Sequence, residues 1–193
     1  MLHAAARPEP QSNLTGHRDR LLEIIKQKSL LRGSFTLVSG ATSNYYLDMK
    51  PTLCDPEGAF LVGEIIFAKL LDAQIDAIGG PELGAVPILA VVCARSWPRH
   101  PLPSFIVRKE KKGHGTDKKI DGNFRDGSRV ILFDDVTTKG GSVMLAVDAV
   151  RARGATVETV ITLVDRLEGA RENLAAQDIA LDPVFTTADL LGT

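Results

Sequence analysis

Residues 129–142 read RVILFDDVTTKGGS. The apolar run Val130–Phe133 ends in two adjacent carboxylates, Asp134 and Asp135, and a turn rich in hydroxyls and glycines follows. The run predicts a buried strand, and the glycine pair before Ser142 predicts the start of a helix. A strand, a glycine turn and a helix make one unit of an α/β protein, in which ligands bind beyond the carboxyl ends of the strands.

The same order of elements recurs on both sides of this stretch. The strands are apolar along their whole length, which indicates a mostly parallel sheet covered by helices on both faces. The predicted strands are Ile75–Ile78, Phe105–Val107, Val130–Phe133, Val157–Val164 and Val184–Thr186, after strand-like pieces within 35–48. The predicted helices are 17–31, 55–71, Val86–Ala94, Val143–Val150, Glu168–Ala176 and Thr187–Leu191. A length of 193 residues fits one domain, residues 1–193.

The composition excludes several classes of protein. Apolar residues make up 44% and charged residues 24%, as in globular domains, and the net charge of −1 favours neither nucleic acid nor an acidic membrane as a partner. Cys54 and Cys93 form no CxxC pair, which excludes a disulfide framework and a thiolate zinc site. The longest apolar run, Ala85–Ala94, is half the length of about 20 residues that a membrane span needs. Residues 1–16 resemble no signal peptide, so we expect a flexible arm and a cytoplasmic protein.

The turn after Asp135 has the composition of a phosphate site. Its hydroxyls and backbone N–H groups can converge on one point, where a helix N-terminus adds partial positive charge. The turn lacks GxxxxGK[ST] and GxGxxG, so it is neither a Walker loop nor a dinucleotide fingerprint. Adjacent carboxylates suit a ligand with cis hydroxyls, because they accept hydrogen bonds from a diol. The alternative is a strand end with an Asx turn and a helix cap.

A basic loop is predicted at residues 108–121, which read RKEKKGHGTDKKID. Between Arg108 and Lys119 it has six Lys or Arg against two acids, and glycines flank His114. The glycines disfavour a helix and indicate a mobile loop. A mobile cationic loop beside a phosphate site could close over an anion and exclude water, whereas the simpler alternative is a solvated charged surface.

The acidic pair and glycine turn resemble the signature of the type I phosphoribosyltransferase family, which is an apolar strand, two Asp and a Thr-Thr-x-Gly-Gly-Ser-like loop. The resemblance implies that Asp134 and Asp135 are catalytic and hold the ribose hydroxyls of 5-phosphoribosyl 1-pyrophosphate (PRPP). It implies the fold as well: a mostly parallel central sheet flanked by helices, a small amino-terminal hood at 17–50 and a flexible catalytic loop. The turn residues implied to bind PRPP are Val136, Thr137, Thr138, Lys139, Gly140, Gly141 and Ser142.

The basic loop resembles the catalytic loop of the orotate phosphoribosyltransferase family in its Arg-Lys-Glu-x-Lys-x-His-Gly order. Three more segments follow that family in chain order: 35–48 its amino-terminal signature, 80–84 its pyrophosphate loop, and 165–169 the segment whose Arg receives the orotate carboxylate. A planar guanidinium suits a carboxylate. The resemblance implies PRPP binding by Arg108, Lys109, Lys112, His114, Leu83 and Gly84, catalysis by Lys112 and His114, and orotate binding by Thr138, Arg166, Tyr46 and Leu47.

The implied reaction is transfer of a phosphoribosyl group from PRPP to orotate in pyrimidine biosynthesis, by a homodimer with shared active sites. Mg²⁺ is the implied cofactor, held mainly by substrate, with no metal site made by protein ligands alone. Val38 and Ala41 stand where the family often has basic residues, so Lys50 or the basic loop supplies that charge, or the pyrophosphate has fewer contacts. The alternatives are a phosphoribosyltransferase for another base and a non-catalytic regulator that senses PRPP or a nucleotide.

Overall fold

The computed structural model describes residues 11–36, 42–109 and 119–192. Its strands are β1 Leu30–Thr36, β2 Thr42–Leu47, β3 Ala77–Pro81, β4 Ser104–Val107, β5 Ile120–Gly122, β6 Arg129–Thr137, β7 Thr156–Asp165 and β8 Ala180–Thr186. Its helices are α1 Gln11–Lys28, α2 Lys50–Leu53, α3 Pro56–Leu70, α4 Ala85–Ser96, α5 Gly141–Arg151, α6 Ala170–Ala175 and α7 Thr187–Leu191.

The central sheet of the described residues has six strands in the order β5-β4-β3-β6-β7-β8. All neighbouring pairs are parallel except β4 and β5, so the mostly parallel α/β sheet is confirmed. From β3 the chain first adds β4 on one side and later β6 on the other. The strand order therefore reverses between β3 and β6, and in open α/β sheets a ligand binds in the crevice at such a reversal.

Two hydrophobic cores lie on opposite faces of this sheet, because side chains along a strand point alternately to either side. Ile131 and Phe133 of β6 pack in the core that contains α1, α3 and α4, whereas Val130 and Leu132 pack in the core that contains α5. Within the described ranges, no helix combines the length and apolar character that a bilayer span requires.

The predicted start of α3 is confirmed. Asp55 caps the helix by accepting hydrogen bonds from the backbone N–H groups of Glu57 and Gly58, and Pro56 occupies the first helical position. This helix and α1 contribute to one core, and β1 and β2 form an antiparallel hairpin beside it. The hairpin pairs Leu30 with Leu47, so the first predicted helix ends before residue 30 rather than at 31.

The first ordered helix reaches further towards the N-terminus than the sequence indicated. Residues 11–16 were expected in the flexible arm, but α1 begins at Gln11. Leu14 lines a surface pocket with Phe67 of α3 and Leu71, which follows that helix, and this gives the weakly amphipathic segment an apolar surface to pack on. Residues 1–10 of the expected arm lie outside the described residues.

The basic loop is shorter than predicted at its carboxyl end. Ile120 and Asp121 were placed in the mobile loop 108–121, but they belong to β5, which pairs antiparallel with β4. The pairing of Val107 with Ile120 brings the two ends of the loop next to each other. A strand of three residues is too short to show a periodic pattern, so only pairing with β4 reveals it. Helix α2 was likewise not predicted.

Candidate active site

The turn after β3 meets the carboxyl-terminal part of β6 at the reversal of strand order. A methyl group on Gly84 would lie 2.2 Å from Asp135 Oδ1, so only glycine allows the turn to approach this carboxylate so closely. Leu83, beside it, is 63% exposed. The backbone N–H of Lys109 donates to Glu82 Oε1 at 2.8 Å, which ties the start of the basic loop to the same turn.

The carboxylate pair lies within β6 rather than after it, because the strand continues beyond Phe133 to Thr137. Asp134 is buried, and burial raises the pKa of its carboxyl group to about 8, with a further contribution from the charge of Asp135. The pair is braced locally: the Asp135 N–H donates to Asp134 Oδ1 at 3.0 Å, and the Val136 N–H donates to Asp135 Oδ1 at 2.9 Å. Two carboxyl groups whose oxygens can accept hydrogen bonds are thus held side by side at the crevice.

The turn after β6 presents unpaired donors. Gly140 adopts φ +80° and precedes α5, and no side chain of the described residues caps this helix, so its first N–H groups are open to a ligand. The hydroxyl of Thr137 is buried and has no hydrogen-bond partner among the described residues. Thr138 and Lys139 are exposed, and the Lys139 carbonyl accepts a 2.8 Å hydrogen bond from Asn173 Nδ2, which anchors the turn. A phosphate binds to donors of this kind: a helix N-terminus, its open N–H groups and the Thr137 hydroxyl.

The basic loop begins beside this turn. Arg108 Nη1 lies 3.2 Å from Asp121 Oδ2, and the Arg108 N–H donates to the Lys119 carbonyl at 2.9 Å. The positive charge of Lys109, next to Arg108, lowers the pKa of Asp134 and so offsets part of the increase caused by burial. The Lys109 ammonium therefore lies within electrostatic range of the Asp134 and Asp135 pair. Lys112 and His114 lie outside the described residues, and their catalytic roles stay predictions.

Lys50 reaches the site from the other side. Its ammonium lies 2.8 Å from Asp48 Oδ1, and this hydrogen bond is the main cause that raises the pKa of Lys50, with a smaller contribution from the negative charge of Asp135. Lys50 is thus a candidate, beside the basic loop, to replace the basic residues missing at Val38 and Ala41, which lie outside the described residues.

Arg166 follows β7 directly and lies next to residues 137–142 at the end of β6, here called the phosphate turn. Its backbone N–H donates to the Thr137 carbonyl at 2.9 Å, and its side chain is 9% exposed. The guanidinium carbon lies 5.0 Å from the ring centroid of Tyr45, and Nε lies 2.9 Å from Glu168 Oε1. A largely covered cation therefore follows the strand next to β6, so one anionic group could bind at Arg166 and another at the turn after β6.

Tyr45, rather than Tyr46, lies against Arg166, and the roles of Tyr46 and Leu47 in orotate binding stay predictions. Tyr46 is 43% exposed and its ring contacts Phe35 within the hairpin, at 5.7 Å between centroids. Leu47 is buried in the core. Tyr45, which faces Arg166, was missed. Strand alternation was the available signal, since Leu47 is buried and Tyr45 lies two residues before it.

The comparisons with known proteins match this geometry. The family model for the phosphoribosyl transferase domain matches residues 53–183. An orotate phosphoribosyltransferase of Bradyrhizobium sp. (strain BTAi1) is 45% identical over 179 residues, which cover 90% of this chain and 97% of the relative. The chain belongs to the orotate phosphoribosyltransferase family.

Solved structures agree with this membership of the orotate phosphoribosyltransferase family. The enzyme of Mycobacterium tuberculosis H37Rv in complex with Fe(III) dicitrate has a TM-score of 0.80 and 33% identity, over 90% of this chain and 98% of that one. The same enzyme in complex with PRPP has a TM-score of 0.76 and 31% identity, over 90% and 98%. The type I phosphoribosyltransferase fold expected from the sequence is thereby confirmed.

Proposed function

We propose that this chain transfers the phosphoribosyl group of PRPP to orotate, giving orotidine 5′-monophosphate and pyrophosphate in pyrimidine biosynthesis. One observation carries the proposal: the largely covered Arg166 is joined through its backbone to Thr137 of the phosphate turn at 2.9 Å. Arg166, whose guanidinium suits a carboxylated base, therefore begins at the end of the strand beside the one that leads into the donors that suit a 5-phosphate. The relatives that share these elements are orotate phosphoribosyltransferases, and one of them was solved with PRPP.

The residues supply binding and electrostatics for a substitution at the anomeric carbon of PRPP. The bond from this carbon to pyrophosphate breaks, a bond to the orotate ring nitrogen forms, and that nitrogen loses its proton to water. Asp134 and Asp135 accept hydrogen bonds from the ribose hydroxyls and hold the ring while it becomes oxocarbenium-like. The turn from Thr137 to Ser142 holds the 5-phosphate.

Cations of the loop offset the charge that develops on the leaving pyrophosphate. Arg108 and Lys109 stand at the start of the loop, and we assign Lys112 and His114 to the same task from the family pattern. Mg²⁺ fits this site, since the carboxylate oxygens of Asp134 and Asp135 are hard ligands of the kind it prefers. When bound by the oxygens of PRPP, Mg²⁺ would neutralise part of the pyrophosphate charge. Asp135, half-buried and facing the Gly84 turn, would lie beside it.

An absorbance assay tests the proposal. Orotate, PRPP and Mg²⁺ with the full chain should give a loss of orotate absorbance, matched by release of pyrophosphate. Omitting PRPP or chelating Mg²⁺ should stop the reaction. Turnover of adenine or uracil but not orotate would favour transfer to another base, and PRPP binding without turnover of any base would favour a regulator; either result would overturn the proposal.

We also assign a homodimer, whose interface is the apolar side of α4. Pro87, Ala90 and Ala94 follow one another at spacings of three and four, so they share one side of α4, and Leu83 and Trp97 flank the two ends of the helix; these five residues are here called the α4 face. Leu83 is 63% and Trp97 72% exposed, and exposed large apolar side chains of this kind are typical of an interaction surface. A second copy is the occupant we favour, because the α4 face begins at the Gly84 turn and its partner would then lie beside the active site.

Mixing inactive subunits tests whether the active sites are shared. Lys112→Ala disables the basic loop, and Asp135→Ala with Thr138→Ala disables the phosphate turn. Random re-pairing makes about half the dimers mixed, each with one working site of two, so activity should recover to roughly one quarter of wild type. No recovery despite subunit exchange, followed by native mass spectrometry, would mean that each loop serves its own subunit. The cytoplasmic location stays a prediction.

A further inference from the structure

Arg166 is fixed from the backbone outwards. Its N–H donates to the Thr137 carbonyl at 2.9 Å, and its carbonyl accepts a hydrogen bond from the Thr187 hydroxyl at 3.2 Å. These contacts join the end of β7 to β6 and to the start of α7. They place the Cα of Arg166 firmly but leave the long side chain free to adopt many rotamers, each with its own position for the charge.

Two groups outside this backbone restrict the side chain. The ring of Tyr45 covers the guanidinium, with 5.0 Å between the guanidinium carbon and the ring centroid. Glu168 Oε1 lies 2.9 Å from Nε, although Nε has no well-aligned hydrogen bond to any described residue, so this attraction is mainly between charges. The two Nη nitrogens form no hydrogen bond or ion pair with the residues that the structure describes. The planar fork that suits a carboxylate is therefore available to a ligand.

Tyr45 belongs to the hood, whereas Arg166 and Glu168 belong to the main sheet. The position of Tyr45 follows from strand alternation: Leu47 is buried in the core, Tyr46 is exposed, and Tyr45 is partly buried against the core. The contact between Tyr45 and Arg166 thus connects the amino-terminal hairpin with the base-binding side of the site. A stacked arginine loses less freedom when it binds, because its plane is already oriented.

We propose that Tyr45 is a positioning residue that sets base specificity: its ring, opposed by the Glu168 carboxylate, orients the Arg166 guanidinium towards a carboxylate on the base. This inference rests on the proposed function, and it assigns to Tyr45 a role in choosing a carboxylated base over a neutral one. Tyr45 acts through Arg166 and not on the base itself. Its loss should therefore weaken use of orotate without weakening use of uracil, which lacks the carboxylate.

The test compares kcat/KM and binding by calorimetry for orotate and uracil, with PRPP affinity measured in parallel. Tyr45→Leu should lower the orotate-to-uracil ratio roughly tenfold, the scale of a partly desolvated cation–π contact, and leave PRPP affinity within about twofold. Tyr45→Phe keeps the ring and should retain most of the ratio. Glu168→Gln should lower the orotate-to-uracil ratio less than Tyr45→Leu does. The Glu168 side chain is 38% exposed, so solvent screens its charge.

A double-mutant cycle separates positioning from a structural role. In an Arg166→Gln background, Tyr45→Leu should change the ratio no further, since there is no guanidinium left to orient. Equal losses for orotate and uracil, or a further tenfold loss in the Arg166→Gln background, would overturn the inference. A wild-type chain that binds orotate over uracil but forms no product would overturn the proposed function alone. A wild-type chain with no preference between the bases would overturn both.

Discussion

Polar groups are paired differently at the two ends of the parallel strands, here called the amino-terminal edge and the carboxyl edge of the sheet. At the amino-terminal edge, Asp76 accepts a 2.8 Å hydrogen bond from the Arg129 N–H, which is the main cause that lowers its pKa. Asp126 and Arg153 form an ion pair at 2.6 Å nearby. At the carboxyl edge, burial raises the pKa of Asp134, and the hydroxyl of Thr137 has no partner among the described residues.

The difference separates groups that serve folding from groups that serve a ligand. Buried polar groups in native proteins are normally hydrogen-bonded, because an unmade bond costs about 1–3 kcal/mol. Folding alone would therefore favour the arrangement of the amino-terminal edge everywhere. Polar groups left without partners at one edge indicate where a bound substrate completes the hydrogen bonding. The four predictions below probe this contrast.

Asp135→Ala should have the largest effect on activity. It removes an acceptor held against the Gly84 turn, and the loss of one electrostatic contact to a transition state lowers kcat by about 10²–10³-fold. Steady-state kinetics with orotate and PRPP measure the change. Asp126→Ala removes a carboxylate from the amino-terminal edge and should leave kcat within about twofold. Equal losses of kcat in Asp135→Ala and Asp126→Ala would show that the two edges of the sheet do not differ in function.

Gly84→Ala should lower activity by about tenfold or more, because the new methyl group would lie 2.2 Å from Asp135 Oδ1 and displace this carboxylate. Gly16→Ala is the matched control. It lies inside α1 with nothing within 4 Å, so it should leave activity unchanged and raise stability by about 0.5–1 kcal/mol. Wild-type kinetics for Gly84→Ala would show that the turn after β3 does not contact Asp135 in solution.

Asp134→Asn should stabilise the free protein while it lowers activity. The pKa of Asp134 is about 8 in the folded state against 3.8 for the ordinary carboxyl group, so between these values the folded state holds a proton that the unfolded state has lost. The contribution of Asp134 to stability therefore falls as pH rises from about 4 to about 8. Asparagine does not titrate, and the Tm advantage of the variant should grow over this window. An advantage independent of pH would contradict the raised pKa.

Asp76→Asn should have the smallest effect. The pKa of Asp76 is lowered in the folded state, so its contribution is present above the ordinary carboxyl pKa and is lost as pH falls through the lowered value. The variant should be slightly less stable than wild type at pH 7, equally stable in strong acid, and fully active. Thermal melts over an acid series, with activity at pH 7, measure both. A loss of activity would extend the functional site to the amino-terminal edge.

Local chemistry made much of this protein predictable from its sequence. The strand, glycine turn and helix at residues 129–142 follow from apolar patterning and backbone freedom, which act between near neighbours. The same reasoning located α3, α4, α5 and β7 to within a few residues. The family resemblance, built on motifs from residue 35 to residue 169, placed the reaction class and most candidate site residues in the chain.

Contacts between distant segments were decided only by the tertiary structure. Helix α1 extends to Gln11 because α3 offers it an apolar surface, and β5 exists because β4 offers it a pairing edge. The approach of Gly84 to Asp135 and the stacking of Tyr45 on Arg166 join residues separated by 51 and 121 positions. Periodicity reports which face of an element is apolar, but it does not report which element lies opposite. The sequence therefore determined the elements and their chemistry, and packing across the sheet determined which of those residues meet.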